Sequence, residues 1–167
     1  MKHRDATAAD LPAIDALFRR SFAATFGHLY APEDLAAFFA RFTPESWANE
    51  FATPDYAFRV AEDDLGLAGY AKISALTLPA QTSANALELR QIYLDDRAKG
   101  SGAAQALLDW AIDTARTRGA EELWLSVYVD NHRAKRFYER NGFEDMGRYA
   151  FMVGAHEDED RMCRLKL

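Results

Sequence analysis

Cysteine is almost missing from this chain: Cys163 is the only one in 167 residues. A lone thiol excludes an internal disulfide, and such low cysteine use fits a reducing cytoplasm, where the protein is expected to reside. Its strand-like surroundings point to a packed thiol rather than a nucleophile. No apolar run reaches membrane-spanning length, so no membrane role is expected. Residues 1–20 mix polar and apolar side chains and show no leader-peptide pattern. No Cys/His cluster has metal-ligand spacing, and Glu157, Asp158, Glu159 and Asp160 lack the spaced ligands of a calcium loop, so no metal is expected. Internal repeats and low-complexity tracts are absent too. A positive net charge is also lacking. The balance is −6, which makes nucleic acid an unexpected partner.

What is present suffices for one domain. The 167 residues are 49% hydrophobic, enough to build a sizeable core, and no boundary divides residues 1–167. The charge is unevenly spread. Residues 31–64 carry eight acids against Arg41 and Arg59, whereas residues 131–148 carry Arg133, Lys135, Arg136, Arg140 and Arg148 against three acids. A bipolar surface suits an anionic cofactor at one end and a cationic substrate at the other; a solvated acidic face is the plainer alternative.

The pattern predicts these elements in order. Lys2–Ala6 reads as a strand. Thr7 to Asp10 resembles a capping box before a helix over about 8–24, with Leu11, Ile14, Leu17, Phe18 and Phe22 at helical spacing and Gly27 as its stop. Pro32 and Thr43-Pro44 start two short helices. Tyr56–Glu62 and Leu67–Leu78 read as a hairpin across Asp63-Asp64-Leu65-Gly66. In the strand 86–94 the alternation of Leu87 and Leu89 slips before Ile92 and Leu94. That slip predicts a β-bulge near Arg90–Ile92, unless the strand is buried on both faces. A helix over 102–118, a strand at 123–129, a helix over 131–140 and strands at 143–153 and 161–167 complete the chain. Residues 154–160 then form the last hairpin's tip.

Two blocks carry chemistry. Arg97-Ala98-Lys99-Gly100-Ser101-Gly102 lies between strand 86–94 and the long helix. It places backbone N–H groups, glycines and two cations at a helix N-terminus, which is an anion site suited to a phosphate or pyrophosphate. It is neither a P-loop, since no Gly-Lys-Ser/Thr follows, nor a full dinucleotide fingerprint, since Gln105 takes the third glycine's place. The second block is Asn131-His132-Arg133-Ala134-Lys135-Arg136-Phe137-Tyr138-Glu139-Arg140-Asn141-Gly142-Phe143. Together, and in this order, the two blocks resemble the GNAT superfamily of N-acetyltransferases over about residues 54–167.

The resemblance implies an α/β (α+β) fold, with a mixed, mostly antiparallel sheet of about six or seven strands flanked by helices. It implies acetyl-CoA as the acetyl donor and a small-molecule amine as acceptor, and relatives often form homodimers. Cofactor contacts carried over are Ile92, Tyr93, Leu94, Arg97, Ala98, Lys99, Gly100, Ser101, Gly102, Ala103, Asn131, Phe137, Tyr138 and Arg140. Ile92 would offer a backbone N–H to an oxyanion and Leu94 would pair with the pantetheine amides. Tyr138 matches the family's general acid, with a packed core tyrosine as the alternative. Glu88 is the first candidate base, with Tyr128 and Asp130 acting through water as the others. The stretch Ser21–Leu29 with Ala31-Pro32-Glu33, and Tyr149–Gly154 with Asp160-Arg161-Met162, resembles bacterial spermidine/spermine acetyltransferases of the PaiA type. That resemblance implies a polyamine acceptor bordered by His28, Tyr30, Glu88 and Tyr128. An amino acid, an antibiotic or a protein N-terminus remains an open acceptor, and a coenzyme A-binding module without activity remains a further alternative.

Overall fold

Alternation of small and aromatic side chains along the strands decides how this molecule is layered. In the computed structural model, which describes residues 1–167, Phe58, Val60 and Tyr70 point to one side of a sheet. Their neighbours Ala61, Ala71 and Ile73 point to the other. The chain runs β1 (Lys2–Asp5), α1 (Leu11–Phe26), α2 (Pro32–Phe39), α3 (Pro44–Ala52), β2 (Ala57–Asp63), β3 (Gly66–Ala75), β4 (Ala86–Leu94), α4 (Ala103–Thr117), β5 (Glu122–Tyr128), α5 (His132–Arg140), β6 (Glu144–Val153) and β7 (His156–Lys166). The seven strands lie in the order β1-β2-β3-β4-β5-β7-β6. All neighbours are antiparallel except β4 and β5. That single parallel pair needs a crossover, and α4 supplies it. The architecture is the GNAT fold, an open seven-stranded sheet flanked by five helices.

Helices α1 to α3 cover the aromatic face. Ile14, Leu17, Phe18, Phe22, Phe38 and Trp47 are buried there against Phe58, Val60 and Tyr70. Phe18 sits against Phe42 with ring centroids 4.5 Å apart, and against Tyr93 of β4 at 5.3 Å. Each such ring contributes about 1.5–3 kcal/mol by leaving water. The other face is largely aliphatic: Leu107, Leu108, Ala111 and Ala115 of α4 lie on Ala71, Ile73, Leu89, Leu123 and Leu125. Alanines on both sides let α4 approach the sheet closely.

The bulge forms at Arg90. Lys72 of β3 pairs with Gln91 and Ile73 with Leu89, so Arg90 has no partner. Beyond it β4 leaves β5: only Ala86, Leu87 and Glu88 pair with Glu122, Leu123 and Trp124. An extra residue bends a strand and increases its twist, and the two strands diverge past that point.

One boundary differs in a way that matters. β7 begins at His156, not Arg161, and only Gly154 and Ala155 turn the hairpin. The acids 157–160 therefore sit in a strand, where alternate residues face opposite sides. Asp158 and Asp160 are buried while Glu157 is exposed. Their polar run looks like a loop because the strand's inner face is itself acidic.

Candidate active site

The divergence of β4 and β5 opens a cleft of about 780 Å³. Leu89 to Leu94 form one wall and Leu125 to Tyr128 the other. On the wall made by β4, the backbone edge facing β5 has no strand partner after Glu88.

At one end of the cleft lies the glycine turn. Ala98, Lys99 and Ser101 turn their N–H groups inward, onto Asp95, Asp96 and Ala98 carbonyls, and Ala103 donates to Ser101 Oγ. The N–H groups of Gly100, Gly102, Ala104 and Gln105 are left without protein acceptors, and these four residues line the cleft. Gly102 has φ +87° and Gly100 φ +77°, a region costly for side-chain-bearing residues. A Cβ at either would meet nothing within 4 Å, so the turn faces open space. Reciprocal amide hydrogen bonds between Gln105 and Asn141, 2.7 and 3.3 Å, tie the start of α4 to the end of α5. That tie holds the turn beside Arg133, Arg136 and Arg140, which are exposed, line the cleft and form no ion pair. Lys99 joins them while paired with Asp96.

Four of the expected cofactor contacts lie elsewhere. Arg97 clamps the β2–β3 turn, donating to the Leu67 carbonyl at 2.8 Å and pairing with Asp63 at 3.0 Å. Its guanidinium is thus occupied, and Arg133 and Arg136 stand where it was expected. Ala98 is fully buried, Ala103 nearly so, and the Ser101 hydroxyl donates to the Ala98 carbonyl, so none of these lines the cleft. Ile92, Tyr93, Leu94, Lys99, Gly100, Gly102, Asn131, Phe137, Tyr138 and Arg140 do line it. Asn131 also caps α5, its side chain accepting from Ala134 N–H at 3.3 Å.

Tyr138 lines the cleft. Its ring packs on Phe137 and Phe143, and its hydroxyl makes no hydrogen bond within the protein. Burial raises its pKa above the ordinary 10, so the hydroxyl carries its proton throughout the neutral range.

The far end is acidic, from residues that the sequence pattern assigns to a hairpin tip and not to the site. Asp158 and Asp160 are 5% and 6% exposed and both line the cleft. Asp158 accepts a short hydrogen bond from the Tyr30 hydroxyl and lies 3.2 Å from His156 Nε2. Asp160 has no ion pair, and hydrogen bonding from Ser126 acts to lower its pKa. Burial first, and the charge of Asp158 second, push Asp160 up to about 7. The acids of 31–64 are absent from the cleft. Glu50 pairs with the buried Lys72 at 2.6 Å, Glu62 with Arg4 at 2.9 Å and Asp63 with Arg97, while Asp34 accepts from Ala155 N–H. The expected anionic pole exists, but β7 supplies it.

Among the expected acceptor-side residues, Tyr30 and Tyr128 line the cleft, and Tyr128 donates to Asp130 at 3.3 Å. His28 does not; it is exposed on a 3-10 turn after α1. Glu88 lines the cleft, but its Oε2 accepts from Thr77 N–H, Thr77 Oγ1 and Leu78 N–H at 2.7, 2.8 and 3.2 Å, pinning the segment after β3.

The sequence profile of the acetyltransferase (GNAT) family matches residues 13–143. This chain belongs to that family. It is 31% identical over 160 residues to an uncharacterised N-acetyltransferase of Lactobacillus delbrueckii subsp. lactis, covering 95% of this chain and 92% of the relative. It is 32% identical over 152 residues to one of Mycobacterium bovis, covering 90% and 94%. Its fold is similar to the crystal structure of the PaiA N-acetyltransferase of Thermoplasma acidophilum in complex with coenzyme A, with TM-score 0.79, 22% identity and coverage of 99% and 98%. The chain is therefore an acetyl-CoA-dependent N-acetyltransferase. No helix is long and apolar enough to cross a membrane.

Proposed function

We propose that this acetyltransferase moves the acetyl group of acetyl-CoA directly to the primary amine of a cationic small molecule, a polyamine such as spermidine or spermine. The observation that carries the reading is the polarity of one continuous cleft, with unpaired arginines at one end and buried carboxylates at the other. The PaiA protein with a similar fold supports it.

In this reading the N–H groups of Gly100, Gly102, Ala104 and Gln105 hold the pyrophosphate, with Lys99, Arg133, Arg136 and Arg140 around it. Acetyl-CoA supplies the activated thioester. The free edge of β4 from Leu89 to Leu94 pairs with the cofactor's amides, and the Ile92 N–H faces the carbonyl oxygen. Tyr138 protonates the leaving sulfur: a hydroxyl that is fully protonated and free of protein partners suits a thiol of ordinary pKa about 8.5. Cys163 is buried, and its thiol is pushed up to about 11, so it takes no part as an acetyl carrier.

The test is CoA release with the full-length protein against spermidine, spermine, amino acids, aminoglycosides and an N-terminal peptide. Polyamines should give the highest kcat/KM. Faster acetylation of neutral or anionic amines would sink the polyamine reading and leave the acetyltransferase.

A further inference from the structure

We propose that Asp160 is the base that takes the proton from the acceptor's ammonium group, with Asp158 as the fixed anion beside it. This rests on the acetyl-transfer reading above and adds to it the residue that acts at the acceptor end.

The two carboxylates stand two residues apart on one face of β7, so both project into the same end of the cleft. They are not equivalent. Asp158 is held by the Tyr30 hydroxyl and faces His156. Asp160 is about as deeply buried, forms no ion pair, and has only Ser126 as a side-chain hydrogen-bonding neighbour. A buried carboxylate without a counter-ion is costly unless a ligand supplies one. The groups facing it are Tyr30 from the α1–α2 connection, Tyr93 from β4, Ser126 and Tyr128 from β5, Tyr149 from β6 and Asp158 beside it. No lysine or arginine pairs with it, so a cationic amine entering the cleft would be its first counter-ion. Tyr93 senses both Asp160 and Tyr138, which places the base and the acid within one electrostatic neighbourhood.

Asp160 also titrates where a base for an amine is useful. At about 7 it is ionised for a large part of the time at neutral pH and still binds a proton well. Glu88 is the weaker candidate. Its Oε2 is already engaged by three donors that pin the segment after β3.

The step balances as follows. The ammonium gives one proton to Asp160 and becomes a neutral amine. Its lone pair forms the N–C bond to the acetyl carbon while the C–S bond breaks. The sulfur takes the Tyr138 proton, and the nitrogen's second proton restores the tyrosine. Asp160 then releases its proton to water.

Wild type, Asp160→Asn and Glu88→Gln are compared for CoA release from acetyl-CoA with spermidine across about pH 5 to 9, and for CoA binding by calorimetry. Asp160→Asn should lower kcat by ~10²–10⁴ and erase the acidic limb of the profile. CoA affinity and the KM for acetyl-CoA should stay near wild type, and Glu88→Gln should keep the limb. Asp160→Ala should regain activity with added formate, a readout that a packing role would not give. An Asp160→Asn enzyme with wild-type kcat and limb would overturn the proposal while leaving the acetyltransferase reading intact. A wild type that acetylates no amine would overturn both.

Discussion

The two ends of the cleft handle charge in opposite ways. At the glycine turn the cations are exposed. Arg133, Arg136 and Arg140 stay hydrated, and water screens them from one another, so holding them there costs the fold little. At β7 the anions are buried, with Asp158 held by the Tyr30 hydroxyl and Asp160 left to move its pKa instead. The difference follows from what each end is built on. A helix N-terminus already offers unpaired N–H groups, and surface arginines need only gather round it. A sheet face offers no such dipole, so an anionic site there has to be made from side chains taken out of water. One end can therefore be strengthened or weakened almost without touching stability. The other ties function to stability.

The most damaging change should fall between the two ends and leave both intact. Tyr138→Phe keeps the ring packed on Phe137 and Phe143 and removes only the proton donor. We expect kcat to fall ~10²–10⁴-fold with little change in the KM for acetyl-CoA. Because burial raises the hydroxyl's pKa above 10, the alkaline limb belonging to it lies above pH 10 and should vanish in the variant. Steady-state kinetics at several pH values decides this; an unchanged profile would make Tyr138 a packing residue.

Next comes the stability of the acidic end. The folded protein holds the Asp160 proton more tightly than the unfolded chain does. The stabilising effect is complete below the ordinary pKa of 3.8 and is lost as pH rises through about 7. Asp160→Asn should therefore melt higher than wild type at about pH 8 and show a shrinking advantage toward pH 4. The span from 3.8 to about 7 caps the gain at about 4 kcal/mol. Thermal denaturation at the two pH values measures it, and equal melting temperatures at the higher one would show Asp160 to be compensated.

The cationic end should behave in the opposite sense. Arg133→Ala, Arg136→Ala and Arg140→Ala together should weaken CoA binding by about 10²-fold, a few-fold each, and flatten its salt dependence. The melting temperature should barely move. Calorimetry at two salt concentrations is the check, and full affinity in the triple variant would remove α5 from the phosphate site.

A smaller loss is expected at Gly102. With φ +87°, an alanine there costs about 1–2 kcal/mol in the left-handed region, although its Cβ meets nothing. Chemical denaturation should show that loss together with weaker CoA binding; an unaltered midpoint would mean that the turn relaxes. Least of all, the KM for spermidine should rise only a few-fold with ionic strength. The anions that meet it are buried, where salt screens them poorly. A steep dependence would return the substrate site to the exposed acids of 31–64.

Residue order alone determined the element sequence, the single crossover helix and the glycine turn, because each is local. The period of Leu107, Leu108, Ala111 and Ala115, the slip of alternation at Arg90 and the spacing of Gly100 and Gly102 act within a few residues of chain. The slip even located the opening of the sheet, since an unpaired residue bends whichever strand holds it. Which charges meet was settled by pairing across the fold. Arg97 reads as a phosphate ligand until β2 and β3 bring Asp63 to it, and residues 31–64 read as an anionic surface until Lys72 and Arg4 take up Glu50 and Glu62. Asp158 and Asp160 read as loop because acids are rare on a buried strand face. Only the register of β7 between β5 and β6, with Tyr128 and Tyr149 opposite Asp160, turns them into the cleft. The burial that perturbs Asp160 is a property of assembled neighbours, and a linear pattern of residue types carries no record of it.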